Sequence, residues 1–176
     1  MRNRVLALAI AGLAAVTLAA PAAANQPTIV RDVQIHNVLS DPTACGDFGV
    51  VWDINIEADI FTFFDQDGVR VRQVIHIKED NTITNTVTGL TLREGPDSFT
   101  QTTYFQPGGL LADYVVATGL QAKVGNDLVD VGRVVLVPIG GGAFDLVFSA
   151  GQHPLRELTD GGTIADALPG FCDVLR

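Results

Sequence analysis

Val50-Val51-Trp52-Asp53-Ile54-Asn55-Ile56-Glu57-Ala58-Asp59-Ile60 and, after Asp65-Gln66-Asp67-Gly68, Val69-Arg70-Val71-Arg72-Gln73-Val74-Ile75-His76-Ile77-Lys78 decide the fold class. Both runs alternate apolar and polar residues with a period of two, the signature of a strand with one buried face. The acidic, glycine-ended segment between them supplies a turn, so the pair predicts a long antiparallel hairpin. With Phe64 and Val69 flanking that turn, Trp52, Ile54, Ile56, Ala58 and Ile60 share a face with Val71, Gln73, Ile75 and Ile77. The other face sets Asp53, Asn55, Glu57 and Asp59 opposite Arg70, Arg72, His76 and Lys78, with Glu57 and His76 as near neighbours. Acid across from base fixes the register at about 0.2–1 kcal/mol per pair. The basic strand neutralises the row of carboxylates, which reads as a solvated face rather than a chelating one.

Six further strands arise from the same pattern. Thr28 to Leu39 precedes the hairpin and is broken by Ser40-Asp41-Pro42-Thr43. After it, Glu79-Asp80-Asn81 reads as a turn into Thr82 to Thr88, whose threonines and β-branched residues suit a pleated surface. Glu94-Gly95-Pro96-Asp97 reads as another turn, into Ser98 to Phe105. Leu110 to Ala117, extending toward Val124, then Leu128 to Val137 and Ala143 to Ala150 complete eight candidate strands. Turn signals every ten to fifteen residues, with no helical period before Leu155, predict an all-β fold. The expected architecture is an eight-stranded antiparallel barrel, with a β-sandwich as the alternative, since closure removes exposed edges. From Pro154 on, a short C-terminal helical tail is expected.

Arg2 and Arg4, the apolar run Val5 to Ala20 and Ala22-Ala23-Ala24 have the make-up of a secretory signal peptide over residues 1–24. The mature chain, 25–176, then forms a single domain of 152 residues (176 less 24). It keeps 9 of the 11 basic residues against 20 acidic ones, a formal charge of −11. That charge argues against nucleic acid or an anionic membrane as partner. No later apolar run approaches a membrane span, so the expected location is secreted and extracellular. In an oxidising compartment Cys45 and Cys172 predict one disulfide, which on the loop-entropy model stabilises by about 4–5 kcal/mol.

Thr84-Asn85-Thr86-Val87-Thr88-Gly89, Gly132-Arg133-Val134-Val135 and Phe148-Ser149-Ala150-Gly151-Gln152-His153, with a cysteine at each end, resemble a group of small secreted bacterial β-barrel proteins. The resemblance implies a barrel similar in architecture to the allene oxide cyclase-like and dirigent-like folds. None of those enzymes' functional residues matches a position here, so the resemblance implies architecture alone.

The residues give little chemistry. His36, His76 and His153 are dispersed, so no metal site is read, and no cofactor. Ser149, His153 and Asp145 are spaced along one extended strand, and Phe148-Ser149-Ala150-Gly151 lacks the first glycine of a nucleophile elbow. Asp65-Gln66-Asp67-Gly68 begins like a calcium loop but is followed by Val69-Arg70-Val71-Arg72, which a hairpin turn explains. Gly140-Gly141-Gly142 is a flexible turn. The leading expectation is a noncatalytic barrel whose partner is a small apolar ligand or an extracellular protein. Trp52, Ile54, Ile56, Val71, Ile75, Phe61 and Phe64 form its candidate lining, with Gly108-Gly109 or Gly140-Gly141-Gly142 as a lid. The alternative is an isomerase, cyclase or hydrolase with a carboxylate or histidine in the barrel mouth, for which Glu57, Asp59 and Tyr104 are the candidates.

Overall fold

The computed structural model describes residues 26–124, 128–140, 143–153 and 172–176. The leader, its cleavage site, Gly141-Gly142 and most of the tail lie outside these residues. The described chain is all-β: β1 (Thr28–Asp41), β2 (Val50–Phe64), β3 (Arg70–Asn85), β4 (Thr91–Phe105), β5 (Ala112–Val124), β6 (Leu128–Gly140) and β7 (Ala143–Gln152). They form one antiparallel sheet in sequence order, each strand pairing with the next. A single helical turn over 172–174 is the only helix among the described residues.

Among the described residues the strands number seven rather than eight, and β1 and β7 do not pair to close a barrel. The count differs because neither Glu79-Asp80-Asn81 nor Glu94-Gly95-Pro96-Asp97 is a turn. Both segments lie inside long strands and face each other across the β3–β4 ladder. The real turn is Thr86 to Leu90, organised by Asn85. Its Oδ1 accepts from the Val87 and Thr88 amides, its carbonyl from Gly89, and its own amide donates to the Leu90 carbonyl. An asparagine that mimics a backbone turn ends the strand more firmly than an interior glycine does.

The β2–β3 hairpin has the expected faces but a register moved by two positions. The Asp65 amide donates to the Val69 carbonyl, and a bulge at Phe63/Phe64 shifts the pairing along the rest of the ladder. Glu57 thus opposes Lys78, and His76 opposes Asp59. A shift of two keeps every side chain on its face, where a shift of one would have inverted the hairpin. The Lys78 ammonium donates to Glu57 at 2.7 Å and holds that carboxyl below its usual range. His76 instead meets Thr100 on β4 and the edge of the Phe61 ring.

The buried face carries three apolar clusters. Ala58, Ile60, Ile75 and Ile77 form one, and Val115, Ala117, Val134 and Leu136 another, with Phe99 packed against both. The third joins Phe48, Val50 and Ile83 to Cys172 and Leu175. Cys45 and Cys172 form the expected disulfide, with Cα atoms 5.4 Å apart. It holds the C-terminal turn over that cluster, where the Asn85 side-chain amide donates to the Leu175 carbonyl.

Candidate functional site

Between the disulfide-capped cluster and the rest of the buried face lies a group of acids. Glu79 and Asn81 are two residues apart on β3 and share a face. Glu94 and Asp97 are three apart on β4, a spacing that puts side chains on opposite faces of a regular strand. The ladder pairs Glu79 with Asp97 and Asn81 with Glu94, leaving Asp80 alone on β3 opposite Gly95 and Pro96 on β4. That extra residue is a β-bulge, and it turns both β4 acids onto the face of Glu79. Gly95 makes it feasible: its φ is +114°, and a Cβ there would lie 2.8 Å from the Glu79 carbonyl oxygen.

One carboxylate oxygen from each of Glu79, Glu94 and Asp97 lies within 4.8 Å of the others. Asn81, buried at 4% exposure, organises two of them. Its amide nitrogen donates to Glu79 at 3.3 Å and to Glu94 at 3.0 Å, while its oxygen accepts the Asn55 backbone amide from β2. With all three groups committed, Asn81 has nothing left for Asp97. Asp97 is 2% exposed, and neither of its oxygens has a hydrogen-bond partner of ordinary geometry among the described residues.

Burial and mutual repulsion favour the protonated forms. Burial, followed by the charge of Glu94, pushes Glu79 up to about 8. Burial pushes Glu94 up to about 7 against the Asn81 hydrogen bond, and Asp97 up to about 6 against the main chain and charge of Lys123. Carboxyls in this range exchange protons near neutral pH.

The polar belt continues across the face. On β5, Gln121 is buried, donates to the Gly132 carbonyl at 3.2 Å, and leaves its side-chain oxygen without a partner among the described residues. On β6, Asp130 meets His153 at 2.7 Å, both side chains being buried, and its charge acts on Asp97. His153 therefore pairs with Asp130, not with Asp145. Asp145 opposes Val137 while Ser149 opposes Val134, and these β6 positions are on opposite faces, so the serine-centred arrangement is not assembled.

The candidate lining residues divide. Trp52, Ile54, Ile56 and Ile75 share the buried face with the acids, and Trp52 opposes Ile83, one pleat from Asn81. Val71 is exposed near the far hairpin end. Phe61 faces the other way, against His76 and Arg31, and Phe64 opposes Arg70 at the bulge. Glu57 and Asp59 face Lys78 and Arg31 on that other side too, and Tyr104 stacks on Tyr114. Gly109, read as part of a lid, is clamped instead: its carbonyl accepts from the Arg70 guanidinium, which lies over the Phe105 ring.

Sequence reading missed Glu79, Glu94 and Asp97 because each stood in a segment whose composition signals a turn. The signal that could have found them was the pair of acid-bearing breaks flanking Thr82 to Leu92, which a longer hairpin would align. No family model, curated protein or solved structure matches this chain.

Proposed function

We propose that this is a noncatalytic extracellular binding domain whose working site is the carboxyl cluster of Glu79, Glu94 and Asp97. Its ligand is a small molecule with an apolar body and an electropositive group. Asp97 carries the reading, because a buried carboxyl with no hydrogen-bond partner of ordinary geometry among the described residues costs on the order of 1–3 kcal/mol unless something supplies the missing contacts. Trp52, Ile54 and Ile56 stand on the same face as the acids and would receive the apolar body. The disulfide fits an oxidising location, and the chain's formal charge of −9 favours cationic over anionic ligands. The barrel belongs to this proposal as well. Val134 and Ile75 are buried at 0% and 4% exposure on a single sheet, and curling that sheet toward closure would cover them.

Titrating the mature protein with a long-chain alkylamine while following Trp52, the single tryptophan, tests the reading. We expect a saturable change in emission, weakened at least about tenfold in Asp97→Asn, the size of a lost charge-assisted contact. The absence of saturation, or equal response in the variant, would remove the proposal.

One observation favours an acid–base enzyme instead: Glu79 and Glu94, at about 8 and 7, hold exchangeable protons beside apolar side chains. On that reading a bound ligand would take up carbon-bound deuterium in D2O, and Glu79→Gln would stop it. Mass spectrometry of recovered ligand distinguishes the two.

A further inference from the structure

We propose that Glu79, Glu94 and Asp97 bind a hard divalent cation of the Ca2+ or Mn2+ type. The inference rests on the cluster being the working site and names the first thing that it takes.

Donor chemistry narrows the ion. All three candidate ligands are carboxylate oxygens, with no thiolate or imidazole among them, and oxygen-only sets suit hard cations rather than zinc or copper. The oxygen shell around Ca2+ is about 5 Å across, so oxygens no more than 4.8 Å apart can reach one ion after small side-chain rotations. An acidic trio alone would be weak ground, since repelling carboxyls often stand together without an ion. Asp97 supplies the independent observation: it is 98% buried (2% exposed), aimed into the trio, and without an ordinary hydrogen bond at either oxygen among the described residues. Its two neighbours have already been given Asn81, whose amide bridges them and fixes their spacing. The arrangement is that of two held ligands and one waiting.

The surroundings leave room for such a charge. Lys123 acts on Asp97 from β5, while Asp80 and Asp130 add negative charge from β3 and β6. Arg93, on the strand of Glu94, is occupied by Asp80, each stabilising the other's charged form. Three protein oxygens would fill half or fewer of the six to eight positions of Ca2+, leaving the others to water or to oxygens of a bound ligand.

The test uses the disulfide-intact mature chain, stripped with EDTA and held at pH 7.5. Tb3+ replaces Ca2+ readily, and its luminescence is sensitised by a nearby indole. Trp52, one pleat from Asn81, provides that indole. We expect Trp52-sensitised Tb3+ emission that Ca2+ displaces, and a Tm raised by about 5–10 °C at a hundredfold excess of Ca2+ over Kd. Asp97→Asn and Glu94→Gln should each weaken Ca2+ at least about tenfold, the loss of one charged ligand. Glu57→Gln, on the opposite face, should leave it unchanged. Two variants are used because each removes repulsion and is expected to fold, which circular dichroism checks independently. Absence of both Tb3+ emission and a Ca2+ shift in the wild type would overturn the inference, as would undiminished affinity in both site variants. If the wild type ignores Ca2+ yet an alkylamine still changes Trp52 in a manner that Asp97→Asn abolishes, the cation is wrong and the working site stands. If neither probe responds, both fall.

Discussion

Asn81 shows how one neutral side chain lets three acids share a buried face. It replaces a backbone acceptor for Asn55 and gives both amide protons to carboxylates, so it tolerates Glu79 and Glu94 without neutralising either. Their burial, with repulsion adding to it, has a pH signature. Unfolded, Glu79 titrates near 4.5; folded, it is pushed up to about 8, and Glu94 to about 7. Between those limits the folded chain binds more protons than the unfolded chain, so stability falls as pH rises and the contribution is gone above about pH 8. The metal-free protein should therefore melt several degrees higher at pH 5.5 than at pH 8.5, and Glu79→Gln should flatten that difference. Calorimetry of both proteins in EDTA measures it; a wild-type Tm that rises across this interval would contradict the arrangement.

At the level of strands, the bulge opposite Asp80 is what makes a site from a ladder. Its geometry hangs on Gly95, which sits at positive φ with the Glu79 carbonyl where a Cβ would go. Gly95→Ala should cost about 1–3 kcal/mol through strain and displaced backbone, and should also weaken any Asp97-dependent binding. Thermal unfolding and the Trp52 titration read the two effects, and a variant equal to wild type in both would show that the bulge does not position Asp97. The same device explains what the sequence made legible. Period two is enough to assign the faces of β2 and β3, so Trp52, Ile54, Ile56 and Ile75 are correctly grouped. The pattern is blind to bulges, because an added residue inverts the parity of everything beyond it. At Phe63/Phe64 the bulge and the Asp65–Val69 closure of the turn together moved the register by two and so kept the faces, whereas Gly95-Pro96 hid the acids behind the composition of a turn. Asn85 was overlooked for the opposite reason: a turn made by one side chain leaves little trace in composition.

Over the whole molecule, every strand pairs with its neighbour in sequence, while Cys45 and Cys172 join positions 127 residues apart. The disulfide and the Asn85 to Leu175 hydrogen bond fasten the C-terminal turn to the end of the sheet nearest the acids. The two kinds of contact act on different sides of the folding barrier. A meander can grow hairpin by hairpin, so its rate-limiting step needs only short loops to close and does not wait for the chain ends to meet. We expect docking of the C-terminal turn to follow the barrier, so that what it stabilises is residence in the native state. Cys172→Ala should accordingly refold at nearly the wild-type rate and unfold about tenfold faster or more, with its β circular dichroism retained. Stopped-flow measurements across a denaturant series separate the two limbs; slowed refolding with unchanged unfolding would place the latch in the nucleus. A protein built this way owes its durability to the contact that ties its two ends together.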